Sequence, residues 1–412
     1  MSKPRSFEFH CYACGLACPV SKQLHCPVCG VPLALRALNT MPADALHAPP
    51  ASMWHYLPLL PIPAPEAVVS LGEGGTTLLN APRLAGRFRL EALHIKNEMG
   101  NPTGSFKDRQ LSVAISHARA CGHTTVAAVS SGNVAVATAA YAARAGLRAF
   151  LFMHGQAGAG KIAQAAAYGA HVICVDSPRP SEVFALCIKA CETFGWAHVS
   201  TAGMYDPYNV EGSKTIAYEL FQQYNGTLPG WIVAPVGGGG LLGGLWRGLL
   251  DLQRMGHINQ LPRLVGVQAS GCAPLTQAID RHWSFQESLQ HPWEHPETIA
   301  GGIADDILFD GHTVLPAIRT TNGAAFAVDD PAIRQGVTTL AHTEGLFCET
   351  TSAVVIAALE TYAERFRGQQ VCCIVTGNGM KDLAGGSSPE IAAPPHIPAD
   401  MQALETLLDT LR

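Results

Sequence analysis

From about residue 90 the chain repeats one pattern: a short run of β-branched or apolar residues, a turn, then an Ala-rich stretch long enough for a helix. Residues 126–130 read as a strand, 133–144 as a helix, 148–153 as a strand and 160–168 as a helix. Further strands are expected at 171–175, 197–200, 231–235, 264–268 and 371–376. Strands separated by helices normally lie parallel in one sheet and hold ligands at their carboxyl ends. The expected class is therefore α/β, with no internal repeat. Of the 412 residues 48% are hydrophobic and only 14% charged, against roughly 25% charged in ordinary domains. Much of the chain must be buried, in a large core or in an oligomer interface.

The flanks read differently. Residues 1–40 hold a Cys- and His-rich mini-domain, and residues 41–66 carry Pro42, Pro49, Pro50, Pro58, Pro61, Pro63 and Pro65. That proline density blocks regular helix and sheet and predicts an extended connector. The body is placed at 67–385 and the tail at 386–412, with a short amphipathic helix at 400–411. A formal charge of −5 gives no basic excess, which argues against nucleic acid or an anionic membrane surface as partner and favours small molecules. The basic start lacks an apolar stretch behind it, and no run reaches a bilayer span, so a cytoplasmic location is the expectation. Of the 13 cysteines, those outside the first thirty residues sit mostly in apolar runs, such as Val371-Cys372-Cys373-Ile374, and read as small core residues.

Cys11-Tyr-Ala-Cys14 and Cys26-Pro-Val-Cys29 are two C-x-x-C pairs, closed by Gly15 and Gly30. Four thiolates at this spacing suit a tetrahedral zinc, and the glycines let each knuckle turn tightly. Free or redox thiols are the alternative reading, and Cys18, His10 and His25 are alternative ligands. Four protein ligands leave no open position, so the ion is expected to be structural Zn2+, needed for so small a segment to fold.

The run Asn97-Glu-Met-Gly-Asn-Pro-Thr-Gly-Ser-Phe-Lys107-Asp-Arg109 places one lysine among turn formers where a helix begins. Positive potential at a helix start, together with burial, lowers a lysine's pKa and makes its amine nucleophilic. A solvated surface lysine is the alternative. Three strand ends weigh against that alternative. Ser130-Ser131-Gly132-Asn133 lies between a strand and a helix, where Gly132 allows close approach and Asn133 has an amide to donate. Gly237-Gly238-Gly239-Gly240 follows another strand and opens another helix, so its backbone N–H groups can cradle a phosphate. Thr376-Gly-Asn-Gly-Met-Lys-Asp382 follows a third strand and offers a hydroxyl.

Together, and in this order, Pro-Thr-Gly-Ser-Phe-Lys107-Asp-Arg109, Ser-Gly-Asn133, the tetraglycine loop and the Thr376 run resemble the motifs of fold-type II pyridoxal-phosphate (PLP) enzymes. The Lys107 and Thr376 motifs and Glu211-Gly-Ser-Lys214-Thr215 are most similar to threonine synthases, some of which carry an N-terminal cysteine ribbon. The tetraglycine loop is more similar to serine and threonine dehydratases. The likeness spans roughly residues 70–385. It implies two parallel-sheet α/β subdomains of the tryptophan synthase β-like kind behind a small zinc ribbon, the smaller one, about 108–205, inserted in the larger. It also implies pyridoxal 5'-phosphate attached to Lys107, Asn133 on the ring oxygen, Gly237 to Gly240 on the phosphate and Thr376 on the pyridine nitrogen. Ser130, Ser131, Gly132 and backbone amides near Asn133 are then expected at the substrate carboxylate, Gly203 and Asn209 near its distal group, and a homodimer by analogy.

The implied activity is a threonine-synthase-like lyase or synthase, eliminating or replacing a group at Cβ or Cγ of a small amino acid. True threonine synthase, a cysteate-synthase-like β-replacement enzyme and a serine or threonine dehydratase lie within that class; a non-catalytic zinc-ribbon adaptor lies outside it. The sequence departs from the family at the distal position. Threonine synthases usually read Asn-Pro-Tyr-Arg where this chain has Asp206-Pro207-Tyr208-Asn209, and Gly203 and Val134 replace an asparagine and a threonine. An arginine fork binds phosphate with charge and paired donors, and Asn209 has neither. A substrate other than O-phosphohomoserine is expected, unless Lys214 or Lys161 compensates.

Overall fold

The computed structural model describes residues 6–154, 159–176, 180–382 and 401–410. Its strands, in chain order, are β1 (Phe7–His10), β2 (Ala17–Pro19), β3 (Ala34–Ala37), β4 (Leu78–Asn80), β5 (Ala92–Asn97), β6 (Thr125–Val129), β7 (Arg148–His154), β8 (His171–Val175), β9 (Ala197–His198), β10 (Trp231–Pro235), β11 (Arg263–Ala269), β12 (Ala324–Val328) and β13 (Gln370–Val375). They form three sheets, ordered β2-β1-β3, β12-β11-β10-β13-β5-β4 and β8-β7-β6-β9. The first is antiparallel; the large sheet is parallel except where β4 runs against β5; the four-stranded sheet is parallel throughout. The alternating pattern thus builds two α/β sheets, as the resemblance implied, and not one.

The large sheet is buried on both faces, which is why its strands read as unbroken apolar runs. Side chains alternate along β13: Cys372 and Ile374 pack with Ile232, Leu242, Leu245 and Leu249 on one side, while Val371, Cys373 and Val375 pack with Val233, Val265, Ile95 and Val354 on the other. Cys372 and Cys373 are therefore small core residues on opposite faces. Each fully buried aliphatic side chain in these layers contributes about 1.5–3 kcal/mol. A charge at Val233 would strand a carboxylate between the layers with no partner in reach. In the small sheet Val126, Ala128, Leu151 and Met153 pack against the helices Lys107–Ala120 and Asn133–Ala145.

The segment 41–66 is not the extended connector its prolines predict. It holds a short helix at Ala43–His47 and a 3-10 turn at Met53–Leu59 that contains Pro58. Leu46, Met53, Tyr56, Leu59 and Leu60 are buried. Apolar residues between the prolines win enough buried surface to fold the segment onto the body, and 3-10 turns tolerate proline where longer helices do not. The N-terminal ribbon is equally continuous with the body. Its core of Phe9, Val31, Leu33 and Leu35 is completed by Phe285 and edged by Tyr208 and Leu289. The helix expected at 400–411 is found at Met401–Thr410, while the part of the tail before it, 386–400, lies outside the described residues. Among the described residues no helix is long and apolar enough to cross a membrane.

Candidate active site

Lys107 is the first residue of the helix Lys107–Ala120. The chain reaches it from the carboxyl end of β5 and is tied to the carboxyl end of β13 by a Ser105–Gly377 bridge and by the Phe106 N–H, which donates to the Thr376 carbonyl at 2.9 Å. Two residues further on, the fully buried Arg109 guanidinium donates to Glu98 Oε2 at 2.7 Å, Glu219 Oε1 at 2.6 Å and Thr215 Oγ1 at 3.0 Å. Lys96, also buried, donates to Glu219 Oε2 at 2.6 Å. Two cations and two carboxylates thus neutralise one another beneath the start of the helix and fix the backbone of Lys107. Its Nζ donates to Thr201 Oγ1 at 2.7 Å and Gln110 Oε1 at 3.0 Å. Burial lowers the amine's pKa to about 8, against the upward pull of Asp305 and Asp310. A sizeable neutral fraction near physiological pH makes this amine a nucleophile and a base.

The tetraglycine loop follows β10 and leads into the helix Gly240–Arg254. A methyl group on Gly237 would lie 2.5 Å from Asp305 Oδ2, and one on Gly238 2.9 Å from Phe309 Cδ2. Gly239 has φ +105°, which favours glycine. The Gly238 N–H donates to Asp305 Oδ2 at 2.6 Å, so the loop already holds an anionic oxygen at the positive end of a helix. Burial raises the pKa of Asp305 to about 6, with Lys107 and the Gly238 N–H opposing. Burial likewise raises Asp310 to about 7. Asp310 Oδ1 accepts from the Gly203 N–H at 3.0 Å, while its Oδ2 is buried and has no hydrogen-bond partner among the described residues.

Lys107, Thr201, the tetraglycine loop, Asp305, Phe309 and Thr376 line one cleft of about 500 Å³, counted with its open mouth. The Thr376 hydroxyl lies 2.8 Å from Ser352 Oγ. Of the sites expected from sequence, Lys107, Gly237 to Gly240 and Thr376 are brought together here. Ser130, Ser131, Gly132, Asn133 and Asn209 are not in the lining. Asn133 donates to Glu349 Oε1 at 2.7 Å and accepts from Lys381 Nζ at 2.8 Å, because the helix it begins faces this charged pair. Asn209 turns inward and donates to the Ser200 carbonyl at 2.8 Å. Lys214 and Lys161, the candidate compensating cations, are paired with Asp251 at 2.7 Å and Asp382 at 3.0 Å.

The sequence reading misses Thr201 and Asp305, which line the cleft, and Asp310 and Glu349, which hold Gly203 and Asn133. Thr201 follows a strand end, which is a usable signal. The aspartates belong to Gly301-Gly-Ile-Ala-Asp305-Asp-Ile-Leu-Phe-Asp310-Gly311, a segment without helical or strand period, and only the fold brings it to the glycine loop.

In the N-terminal ribbon the sulfurs of Cys11, Cys14, Cys26 and Cys29 lie within 4.8 Å of one another, a grouping that can hold a metal ion. The two knuckles match: the Gly15 N–H donates to the Cys11 carbonyl and the Gly30 N–H to the Cys26 carbonyl, both at 2.9 Å. Gly15 and Gly30 take φ +77° and +72°. Cys18, His10 and His25 lie outside the group.

The chain is similar to known proteins. The family described as "Pyridoxal-phosphate dependent enzyme" matches residues 69–377. The threonine synthase of Methanocaldococcus jannaschii is 33% identical over 97% of this chain and 99% of its own length. That of Synechocystis sp. is 37% identical over 79% of this chain and 82% of its own. Among solved structures, a threonine deaminase from T.th. superposes with a TM-score of 0.61 at 27% identity, covering 78% of this chain and 94% of that one. O-ureido-L-serine synthase gives a TM-score of 0.64 at 21% identity, over 78% and 94%, a likeness of fold. With the cleft, the sheets and these relatives in agreement, the chain belongs to the pyridoxal-phosphate-dependent enzymes of fold type II, in the threonine-synthase-like family.

Proposed function

We propose that this enzyme eliminates or replaces a group at Cβ or Cγ of a small amino acid, with Lys107 as both the attachment point of pyridoxal phosphate and the base. The observation that carries the reading is the cleft itself: an amine of lowered pKa lies between a glycine cradle and a strand-end hydroxyl. The residues fit the cofactor, since the Gly238 N–H already binds a carboxylate oxygen where a phosphate oxygen is to be held. In this reading Gly237 to Gly240 hold the phosphate and Thr376 meets the pyridine nitrogen. When bound, the cofactor supplies an electron sink that acidifies the substrate's Cα–H. Thr376, a neutral hydroxyl, keeps that sink mild because it imposes no charge on the ring. Lys107, freed by the incoming amino group, takes the Cα proton. The Ser130–Gly132 turn, at the start of the helix Asn133–Ala145, offers donors for the substrate carboxylate. Asn133 would hold the ring oxygen once its amide let go of Glu349.

The ribbon cysteines are assigned a structural zinc, and a cytoplasmic homodimer completes the reading; the low charged fraction of 14% supports a further buried surface. The reading is tested by colour and by substrate. Purified protein should be yellow and Lys107→Ala should lose the cofactor's absorption; a colourless protein that gains no absorption with added pyridoxal phosphate refutes it. Assays with O-phosphohomoserine, O-phosphoserine, serine and threonine separate the reactions within the class. The match to the M. jannaschii threonine synthase along nearly the whole chain favours threonine formation as the second reading.

A further inference from the structure

A second cavity, of about 630 Å³ counted with its open mouth, lies between the N-terminal ribbon and the body. That volume falls in the roughly 300–1,000 Å³ range of small-molecule sites. The ribbon supplies His10, Tyr12 and Arg36, and the last turns of the helix Gly240–Arg254 supply Leu250, Asp251 and Arg254. None of these residues lines the cleft at Lys107. The helix runs from the glycine loop to this cavity, 15 residues at about 1.5 Å each, so the two sites stand on the order of 20 Å apart. Tyr12 packs on Trp246 with ring centres 4.8 Å apart, and His10 meets Tyr12 edge-on at 4.7 Å, so the aromatic wall is preformed.

Among the described residues, the charged lining groups are two guanidiniums and one carboxylate. Arg36 commits Nε and Nη2 to Glu8, its cross-strand neighbour. Arg254 commits Nη2 to the Asn39 carbonyl at 3.0 Å. Asp251 is almost fully buried, and its Oδ2 accepts from Lys214 Nζ and from the Tyr218 hydroxyl, both at 2.7 Å. Its Oδ1 stands 3.9 Å from Arg254 Nη2, too far for a hydrogen bond. Arg36 and Glu8 cancel, as do Asp251 with Lys214 and Glu211 with Arg247. Arg254 is left as one unmatched positive charge.

We propose that this cavity is a binding site for a dicarboxylic α-amino acid. Two guanidiniums and one carboxylate match two carboxylates and one ammonium, and a ligand of net charge −1 offsets the surplus at Arg254. The ammonium and the α-carboxylate sit on one carbon, and Asp251 Oδ1 and Arg254 are a complementary pair close together but not bonded to each other. Arg36 then takes the side-chain carboxylate, and the methylenes lie against Tyr12 and Leu250. Guanidinium donors suit carboxylates in both charge and geometry. A dicarboxylate without the ammonium would set an acid against the buried Asp251, and a neutral amino acid would leave one guanidinium without its anion.

The test uses the holoenzyme after borohydride has fixed the cofactor to Lys107, so that an incoming amino group cannot exchange at the active site. Equilibrium dialysis with labelled L-glutamate and L-aspartate should show about one equivalent bound per chain, with a Kd below about 1 mM for the better of the two. Glutarate, which lacks the ammonium, and L-threonine, which lacks the second carboxylate, should each bind at least about tenfold more weakly. Arg254→Gln, at an exposed position, should weaken the better ligand at least about tenfold while zinc content and cofactor absorption stay as in wild type. Should that variant lose zinc or colour, Arg36→Gln gives the same reading. No saturable binding of either amino acid, equal binding of glutarate, or wild-type affinity in the variants overturns the proposal. Binding present before borohydride treatment and lost after it belongs to the active site and overturns it too. Each of these results leaves the elimination reading intact, whereas a colourless protein overturns that reading and leaves the dialysis to decide this one.

Discussion

Replacing Arg109 by methionine keeps much of the side-chain volume but removes the charge that two buried carboxylates share. Arg109, Lys96, Glu98 and Glu219 are all fully buried and sum to zero charge. Arg109→Met leaves Glu98 and Glu219 against Lys96 alone, one uncompensated charge in the protein interior. Breaking a buried pair in this way costs about 3–5 kcal/mol. Adding Glu98→Gln restores neutrality and should recover roughly 2 kcal/mol; because Glu98→Gln alone also unbalances the cluster, the coupling in a double-mutant cycle is that recovery plus the cost of the second single variant. Urea unfolding of cofactor-loaded protein, followed by tryptophan fluorescence, measures the cycle, and the single variant should also melt roughly 5 °C lower. The acid limb supplies the sign. Burial pushes the Glu98 carboxyl up, but Arg109 and Lys96 outweigh it and hold the pKa below the ordinary 4.5. Its contribution is therefore present above that value and is lost as the pH falls below it. Wild type should lose stability there more steeply than Arg109→Met. A single variant within about 1 kcal/mol of wild type, or a double variant no better than the single, would refute the charge-balance argument.

Other perturbations follow from the same geometry. Gly239→Ala forces a side chain to φ +105° and to 3.0 Å from Val314 Cγ1; it should cost about 1–3 kcal/mol and weaken pyridoxal phosphate binding at least about tenfold, read by equilibrium dialysis. Because burial holds the Lys107 amine at about 8, cofactor capture by stripped protein should speed up as the pH rises through 8 and the neutral amine accumulates. Asp305→Asn, which removes an upward pull, should shift that midpoint to lower pH in stopped-flow absorbance; an unmoved midpoint counts against the assignment. Metal analysis should find about one zinc per chain, and Cys26→Ser should lose it and lower the thermal midpoint of the body too, since Phe285 and Tyr208 share the ribbon's core.

What the sequence discloses depends on where each interaction partner lies. β6, β7, β10, β11 and β13 are legible to within a residue or two, because buried strands are unbroken apolar runs, and the exposed edge strand β8 is legible from its own β-branched run. β5 is not, because Lys96 interrupts its pattern and becomes tolerable only through Glu219, far along the chain. The three ribbon strands are too short and too broken by Cys and His to show a period. The site divides along the same line. Lys107, the tetraglycine loop and Thr376 sit in turn-forming runs whose backbone geometry is local. Asp305, Asp310 and Glu349 have no local signature. Asn133 stands out in the sequence as a residue that matters at a strand end, but its partner stays hidden there because Glu349 lies more than two hundred residues further along the chain.

The place of β13 in the large sheet has a consequence for biosynthesis. It is the last of the described strands to be made, yet it lies between β5 and β10, and the Thr376 carbonyl at its end holds the residue before Lys107. On the ribosome, the glycine loop and the lysine emerge early and wait as two unjoined parts of a sheet with exposed apolar edges. The nascent chain cannot capture the cofactor firmly until β13 has been translated. Chains truncated before residue 370 should therefore be colourless and prone to aggregation, even though they contain Lys107 and the whole tetraglycine loop.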